Sequence, residues 1–597
     1  MKRIEAVNNQ IKERENKNKN YQEQRPLVKS DWFKNQGWGY KDTDFVLGAD
    51  GVVYLSGSRY QFSGEKMPKF KEWAENIIGI DLNKQTPAQN EIPIDPAIIN
   101  EAFIEAIRGK VNEATNDKTQ RIHHSHGHTL QEIFALRHGK LDRYIDLVVY
   151  ISSHGQAETL VKAANEHNVV LIPYGGGTNV TQALLPLKSE TRMIVSVDMS
   201  RMNHIRWVDK KNFTACVEAG IMGQDLEREL QRYGVCCGHE PDSHEFSTLG
   251  GWISTRASGM KKNKYGNIDD IILNVKIVTP AGTFTKSQNV PRMSSGPNLN
   301  EFILGSEGTF GIITEAVIKV KPVPKNVIYD SIIFHDFESG TEFMYEVALS
   351  KQWPASCRLV DNEQFKFGMA LKTEVKSKTQ ELVDKAKKYF VTEVLKFEPE
   401  RMCLCTIVYE GTDAEVTTQQ KVVGNIYKKY KGFRAGAENG QRGYFLTYVI
   451  AYLRDFAFQY GFIAESFETS VQWKNVSLLC KNVGKRIVDE CKNQGVVREP
   501  FVSMRVTQLY DTGAAVYIYF GFLYHGLKDP VQSYTDIENA ARDEIMRCGG
   551  CISHHHGVGK LRKQFMRDSV GDMGIKMIKA VKDQLDPKNV FANGNLV

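Results

Sequence analysis

What this 597-residue chain lacks narrows its class first. No apolar run approaches the ~20 residues a membrane-spanning helix needs. The longest, Gly513 to Leu523, is short and aromatic and predicts a buried strand. Met1 to Lys29 holds no apolar stretch of the secretory-signal kind. Cysteine is sparse: ten residues, scattered, predict free thiols in a reducing compartment. Cys548-Gly-Gly-Cys551 has the spacing of a redox pair but no βαβ context. Charge of one sign is also scarce. A net +6, with eight of the 77 basic residues in the first 30 positions, argues against nucleic acid as a partner. It leaves anionic ligands or an acidic membrane surface open. No helical His-Glu-x-x-His is present, and no metal site is expected.

What is present is ordinary in bulk, 41% apolar and 25% charged, and the length predicts roughly three to four domain-sized units. Residues 1–140 read as an N-terminal extension, mostly helical. Its first 30 positions predict a frayed helix or disorder, and Trp32, Phe33 and Trp38 anchor the start of order. Residues 141–322 form a glycine-rich unit, 323–550 a cap of mixed strands and helices, and 551–597 a C-terminal segment with a histidine cluster. Lys321-Pro-Val-Pro-Lys325 marks the boundary before the cap, since two prolines break any element. Strands at Asp146–Ile151 and Val169–Pro173 around a helix over Gly155–His167 predict a parallel βαβ unit. Further strands are expected at Met193–Val197, Thr214–Glu218, Ile271–Thr279 and Gly311–Val320. Glu374–Phe397 predicts a charged surface helix, with a mobile flap or membrane-facing helix as the functional alternative.

The most informative stretch is Leu171-Ile-Pro-Tyr-Gly-Gly-Gly-Thr-Asn-Val180, an apolar strand running into three glycines. Without Cβ atoms, the loop's amides can approach an anion such as a diphosphate closely. It fits neither Gly-x-Gly-x-x-Gly nor the Gly-Lys-Ser/Thr phosphate loop. Three more segments supply glycines and hydroxyls: His239 to Gly251, Ser254 to Gly259, and Gly305 to Ile313. In the second half, Arg454 and Asp455 interrupt an apolar helix, Tyr448 to Phe458. Neighbours on a helix do not face each other, so a buried Arg454 calls for another partner, a ligand phosphate or carboxylate or a distant acid. Arg505 to Phe520 predicts two strands joined at Asp511-Thr-Gly513, with Tyr517 and Tyr519 on one face. His554, His555 and His556 in an extended chain would alternate, His554 and His556 on one side and His555 on the other. Imidazoles titrate near neutrality and suit proton handling or anion binding. The earlier cluster His123 to His128 predicts domain packing.

In their order these segments resemble the vanillyl-alcohol-oxidase type of FAD flavoprotein over residues 141–322. From Asn35-Gln-Gly-Trp-Gly-Tyr40 almost to the C-terminus the chain resembles the alkyldihydroxyacetonephosphate synthase family. Pro354 to Leu359, Asn439 to Tyr444, Glu465 to Ser470 and the histidine run carry that resemblance. It implies an α+β protein: a two-subdomain FAD-binding fold of the vanillyl-alcohol oxidase type, an α+β cap (substrate) domain and the N-terminal helical extension. It implies exchange of the acyl chain of acyl-dihydroxyacetone phosphate for a long-chain fatty alcohol in ether-lipid synthesis, through capture of the substrate carbon at flavin N5 and without net redox. The alternative is an FAD-dependent 2-hydroxy acid dehydrogenase or oxidase on the same scaffold.

By the resemblance, FAD, expected non-covalent, is held by Tyr174, Gly175, Gly176, Gly177, Thr178, Asn179 and Val180. Asp242, Ser243, His244, Glu245, Phe246, Ser247 and Thr248 join them, as do Thr255, Arg256, Ala257 and Ser258, and Glu307, Gly308, Thr309, Phe310, Gly311, Ile312 and Ile313. Tyr517 is the expected acid/base, His554, His555 and His556 assist, Arg358 supports, and Arg454 and Ser466 meet the substrate, Arg454 at its phosphate. Ala515 departs from the pattern, standing where mammalian relatives have cysteine. The resemblance also implies a peripheral membrane contact, a homodimer and the lumenal face of the peroxisomal membrane, although Asn595-Leu-Val597 is not the Ser-Lys-Leu address.

Overall fold

The computed structural model describes residues 33–374 and 378–597; the expectation for positions 1–30, and Trp32, lie outside them. The N-terminal extension is less helical than expected. It opens with an antiparallel sheet of β1 (Phe45–Leu47), β2 (Val53–Leu55) and β3 (Lys66–Met67). Phe45, Val53, Leu55 and Met67 pack against Val449, Tyr452 and Phe456 of the cap. Residues 79–100 form no helix or strand. Pro87, Pro93 and Pro96 there withhold backbone donors and favour extended chain before them. The helices are short: Phe70–Trp73 with a π turn, Glu101–Ile107, Lys118–His123 and Leu130–His138.

The extension is also not separate, because its β4 (Glu113–Thr115) pairs with β5 (Leu147–Tyr150). With β6 (Val170–Tyr174) and β7 (Ile194–Asp198) these make a sheet ordered β4-β5-β7-β6. β5 and β6 are both parallel to β7, which lies between them. The expected βαβ unit therefore skips one strand. Its helix, His154–His167, starts where Ser153 caps the Gln156 amide and stops at Asn168, whose φ is 54°. Ala157, Leu160, Val161 and Ala164 bury its apolar stripe against Leu147, Val149, Leu171 and Val195.

The second subdomain comprises β8 (Ile205–Asp209), β9 (Thr214–Glu218), β10 (Val235–Cys236), β11 (Ile272–Thr279), β12 (Gly282–Phe284), β13 (Ile312–Lys319) and β14 (Lys321–Pro322). An antiparallel sheet runs β12-β11-β13-β9-β8, while β10 pairs with β14. The chain passes into the cap directly after β14, at the expected prolines.

The cap sheet consists of β15 (Asn326–Phe334), β16 (Ser356–Val360), β17 (Cys403–Gly411), β18 (Phe433–Arg434), β19 (Phe462–Gln472), β20 (Phe501–Leu509) and β21 (Gly513–Leu523). It is ordered β18-β15-β17-β16-β20-β21-β19. Alternation sorts its faces. Cys403, Cys405, Ile407 and Tyr409 join a core with Phe343, Val423, Val483 and Ile537 from four outer helices. Val408, on the opposite face, packs on Tyr444 of helix Ala437–Phe458, which thereby lies between cap and FAD domain. Tyr517 and Tyr519 alternate with the core residues Val516, Ile518 and Phe520, and so look toward that interior space. The ten cysteines are free. The charged stretch after 374 forms helix Lys378–Tyr389 and a π turn, Phe390–Val394, exposing Leu382, Tyr389, Phe390 and Val394. No described helix is long and apolar enough to cross a membrane.

Candidate active site

A cavity of about 410 Å³ lies where the glycine loop, helix Ala437–Phe458, the cap sheet and the C-terminal histidine loop meet. The glycines are required by space. A Cβ on Gly176 would stand 1.8 Å from the Phe246 carbonyl oxygen, and Gly177 has φ +71°. The amides of Gly175, Gly176, Gly177 and Thr178 find no acceptor among the described residues. Buried amides without acceptors are costly unless a ligand takes them. The same loop also lines a second cavity of about 510 Å³, with Trp38, His126, Asp198 and Arg201. Bare amides between two cavities, with the hydroxyls of Thr248 and Thr255 beside them, suit an extended nucleotide with a central diphosphate.

Most of the expected cofactor residues line the first cavity: Tyr174 to Val180, Asp242, Ser243, Ser247, Thr248, Thr255, Ala257, Glu307, Gly308, Gly311 and Ile313. Others do not. The His244 ring packs on Tyr448, and Glu245 accepts from the Tyr60 hydroxyl at 2.7 Å. Phe246 lines the second cavity. Arg256, in left-handed conformation at the end of helix Leu249–Thr255, points away to Asp269, and Ser258 donates to Asn267. Thr309 meets Asn593, while Phe310 and Ile312 are core. Glu307 does more than expected. Its carboxylate accepts from the Val558 and Gly559 amides at 2.6 and 2.7 Å, pinning the C-terminal segment to the FAD domain.

The histidine run is not extended. It curls around Glu468 of β19, whose carboxylate accepts from the Ser553 hydroxyl at 2.8 Å and the amides of His554, His555 and His556 at 2.7, 3.1 and 2.6 Å. Converging amides override strand alternation, so the expected sidedness is corrected. His555 and His556 face the cavity together, and His554 turns away. Burial pulls His554 and His555 down to about 3 and His556 to about 4, so all three rest neutral. Burial alone would raise Glu468, but Arg562, 4.0 Å away, and the four converging donors hold it well below the carboxylate range. Tyr517 stands opposite Glu468 in the β19–β21 register and meets His555 Nε2 at 2.6 Å. Arg505, its neighbour on β20, lies over the Tyr517 ring at 4.5 Å. Burial raises the Tyr517 hydroxyl well above its usual value, so it too rests protonated.

Arg454 lines the cavity but is not awaiting its first partner. It donates to Glu465 at 2.6 Å, to the His128 carbonyl at 2.7 Å and to Asp455 at 3.2 and 3.3 Å. The adjacent acid reaches it after all, because Asp455 bends back along the guanidinium edge and is itself held by the Trp38 amide. Ser466 lines the cavity; Arg358 lies behind it, donating to Thr447, which does line it, at 2.9 Å.

Against this geometry the comparisons decide the family. An alkyldihydroxyacetonephosphate synthase of Caenorhabditis elegans is 47% identical over 566 residues, 94% of this chain and 95% of that protein. The chain belongs to the alkyldihydroxyacetonephosphate synthase family. A solved structure of an alkyldihydroxyacetonephosphate synthase superposes with TM-score 0.82 at 31% identity, covering 94% of this chain and 98% of the other. A p-cresol methylhydroxylase structure, at TM-score 0.60 and 14% identity over 82% of this chain and 95% of its own, shares the fold. Residues 145–288 match the model of an FAD binding domain, and 323–596 that of the FAD linked oxidases, C-terminal domain. The chain is an FAD enzyme with the α+β, two-subdomain architecture of this synthase family and of the vanillyl-alcohol-oxidase type.

Sequence reading missed Glu468, Glu465, Arg505 and His128 as parts of this site. Two carboxylates three residues apart in one strand, Glu465 and Glu468 of β19, were the available signal, since charge within a sheet demands a partner. The Glu468 partners lie 85 or more residues downstream.

Proposed function

We propose that this chain is an alkyldihydroxyacetonephosphate synthase, exchanging the acyl chain of acyl-dihydroxyacetone phosphate for a long-chain alcohol and releasing a fatty acid. One observation carries the reading beyond a generic flavoenzyme: the cavity holding Tyr517, His555 and Arg454 continues into an aromatic wall. Phe70, Trp73, Phe367, Phe456 and Phe501 line it with Ile78 and Ile80. Such a wall buries alkyl chain at roughly 0.8 kcal/mol per methylene, and a small 2-hydroxy acid has no use for it.

FAD, held by the Gly175 to Thr178 amides and the residues around Thr248 and Thr255, supplies an electron-accepting ring at which substrate carbon can be activated and returned without net oxidation. The chain's own groups handle charge and protons. Arg454 presents its one remaining N–H, on Nη2, to an anion, held in orientation by Glu465 and Asp455. The Tyr517 oxygen takes the proton leaving the substrate carbon as its own proton passes to His555 Nε2, and the pair returns a proton later. The aromatic wall excludes water.

Peripheral membrane contact is supported by the exposed Leu382, Tyr389, Phe390 and Val394 beside Lys385, Lys387 and Lys388. The lumenal face of the peroxisomal membrane and pairing as a homodimer rest on the family resemblance. The decisive assay gives purified, yellow protein acyl-dihydroxyacetone phosphate and labelled hexadecanol. Ether product with equimolar fatty acid is expected; flavin bleaching by lactate or glycolate without exchange would establish the oxidase alternative instead.

A further inference from the structure

The exchange proposed above moves a proton at Tyr517, and the polar contacts behind that residue continue away from the cavity it lines. Behind the histidine loop lies a cavity of about 680 Å³, lined by Ser258, Asn267, Tyr510 and His554. Its rim includes the exposed Gln472, Thr512, Asp568 and Ser569, so it opens to solvent. Four side chains cross from one cavity to the other without a gap. Tyr517 meets His555 Nε2 at 2.6 Å, His555 Nδ1 meets His554 Nδ1 at 2.8 Å, and His554 Nε2 meets Tyr510 at 2.6 Å. Tyr517 and His555 line the inner cavity, His554 and Tyr510 the outer one.

A neutral imidazole has one donor and one acceptor nitrogen, and this fixes a consistent polarity. Tyr517 donates to His555 Nε2, His555 Nδ1–H donates to His554 Nδ1, and His554 Nε2–H donates to the Tyr510 oxygen. We propose that Tyr510 is the outer terminus of a proton relay, Tyr517–His555–His554–Tyr510, that exchanges the reaction's proton with solvent through the outer cavity. For each proton accepted at the Tyr517 oxygen, one O–H or N–H bond breaks and one forms at every link, and one proton leaves the Tyr510 hydroxyl to solvent. The relay ends with reversed polarity, and the return proton resets it. No link carries a lasting charge.

Charged groups border the path without interrupting it. Glu468 and Arg562 face the histidines, Asp242 and Arg505 face Tyr517, and Asp269 stands near Tyr510 and His554. The Lys262 ammonium sits 3.3 Å from the Tyr510 ring centroid, held in place by the Leu509 carbonyl at 2.6 Å. The burial that keeps both imidazoles neutral and Tyr517 protonated is what such a relay needs, since Tyr517 can accept a proton only while releasing its own.

The proposal rests on the exchange reaction above, and Tyr510→Phe tests it. The expected result is a fall in kcat of roughly 10- to 100-fold at unchanged KM, FAD content and Tm. Small proton carriers such as imidazole, which fit the outer cavity, should restore much of the rate, and the solvent deuterium isotope effect should rise. His554→Gln should lose as much, and Tyr510→Phe added to it should cost nothing more, because the links act in series. Wild-type turnover in Tyr510→Phe overturns the relay, as does a loss that imidazole does not rescue. A wild-type protein without exchange activity would refute the functional reading instead. The relay is then judged by the imidazole nitrogen NMR resonances. Removing the Tyr510 hydroxyl must shift those of both His554 and His555, and unchanged His555 resonances overturn it.

Discussion

Glu468→Gln is the substitution that best tests how the site is built. The wild-type Oε1 takes the Ser553 hydroxyl and the amides of His555 and His556, while Oε2 takes the His554 amide at 2.7 Å. The glutamine oxygen must occupy the three-donor position, which sets its NH2 against the His554 N–H, donor against donor. A hydrogen bond to a charged acceptor contributes about 1.5–3 kcal/mol. Arg562, buried at 4.0 Å, loses its counter-charge as well, and breaking a buried pair costs about 3–5 kcal/mol. The loop therefore loses several kcal/mol locally, enough to release the 2.6 Å contact between His555 and Tyr517. About 2.7 kcal/mol of lost transition-state stabilisation is ~100-fold in kcat. FAD content should hold, because the glycine-loop amides make no contact with Glu468. The assay pairs flavin absorbance per protein with the exchange rate and amide hydrogen exchange over 553–559. A variant within threefold of wild type, with loop protection unchanged, would show that the carboxylate does not aim the histidines.

Tyr517→Phe should keep FAD, Tm and the aromatic packing and abolish exchange; near-normal turnover removes the hydroxyl from the chemistry. Gly176→Ala should purify largely colourless, since its Cβ would stand 1.8 Å from the Phe246 oxygen; full flavin occupancy would show that the loop is not the diphosphate cradle. Acid should destabilise the protein below neutrality. His554, His555 and His556 fall from 6.5 to about 3, 3 and 4 on folding, so stability is complete above pH 6.5 and drains as the unfolded chain alone takes up protons. The slope reaches about 4 kcal/mol per pH unit for three such groups. A urea midpoint that is flat from pH 7 to 5 would contradict their buried, neutral state.

What was legible in the sequence was local. The strand into three glycines, the helix over His154–His167 and the hairpin at Asp511-Thr-Gly513 follow from period and turn chemistry within a dozen residues, and they stand where expected. The extension is less helical than expected because the prolines at 87, 93 and 96 withhold backbone donors across 79–100. Tertiary pairing hid the rest. The sequence leaves Arg454 a ligand anion or a distant acid as partner, and Glu465 supplies the acid from the next strand, so an arriving phosphate adds to an existing ion pair. That changes its expected chemistry: anion binding must compete with Glu465, a carboxyl that burial already pushes up and which is therefore disposed to take a proton when a second anion approaches. The histidine run shows the same logic at larger scale. Glu468 is placed by the β19–β21 register directly opposite Tyr517, and its carboxylate gathers a hydroxyl and three amides from 85 to 88 residues downstream. One register thus places both the acid/base and the anchor that delivers its imidazole partner. A one-residue slip of β19 would move Glu468 to the other face of the sheet and separate the two, however faithfully every local motif was preserved.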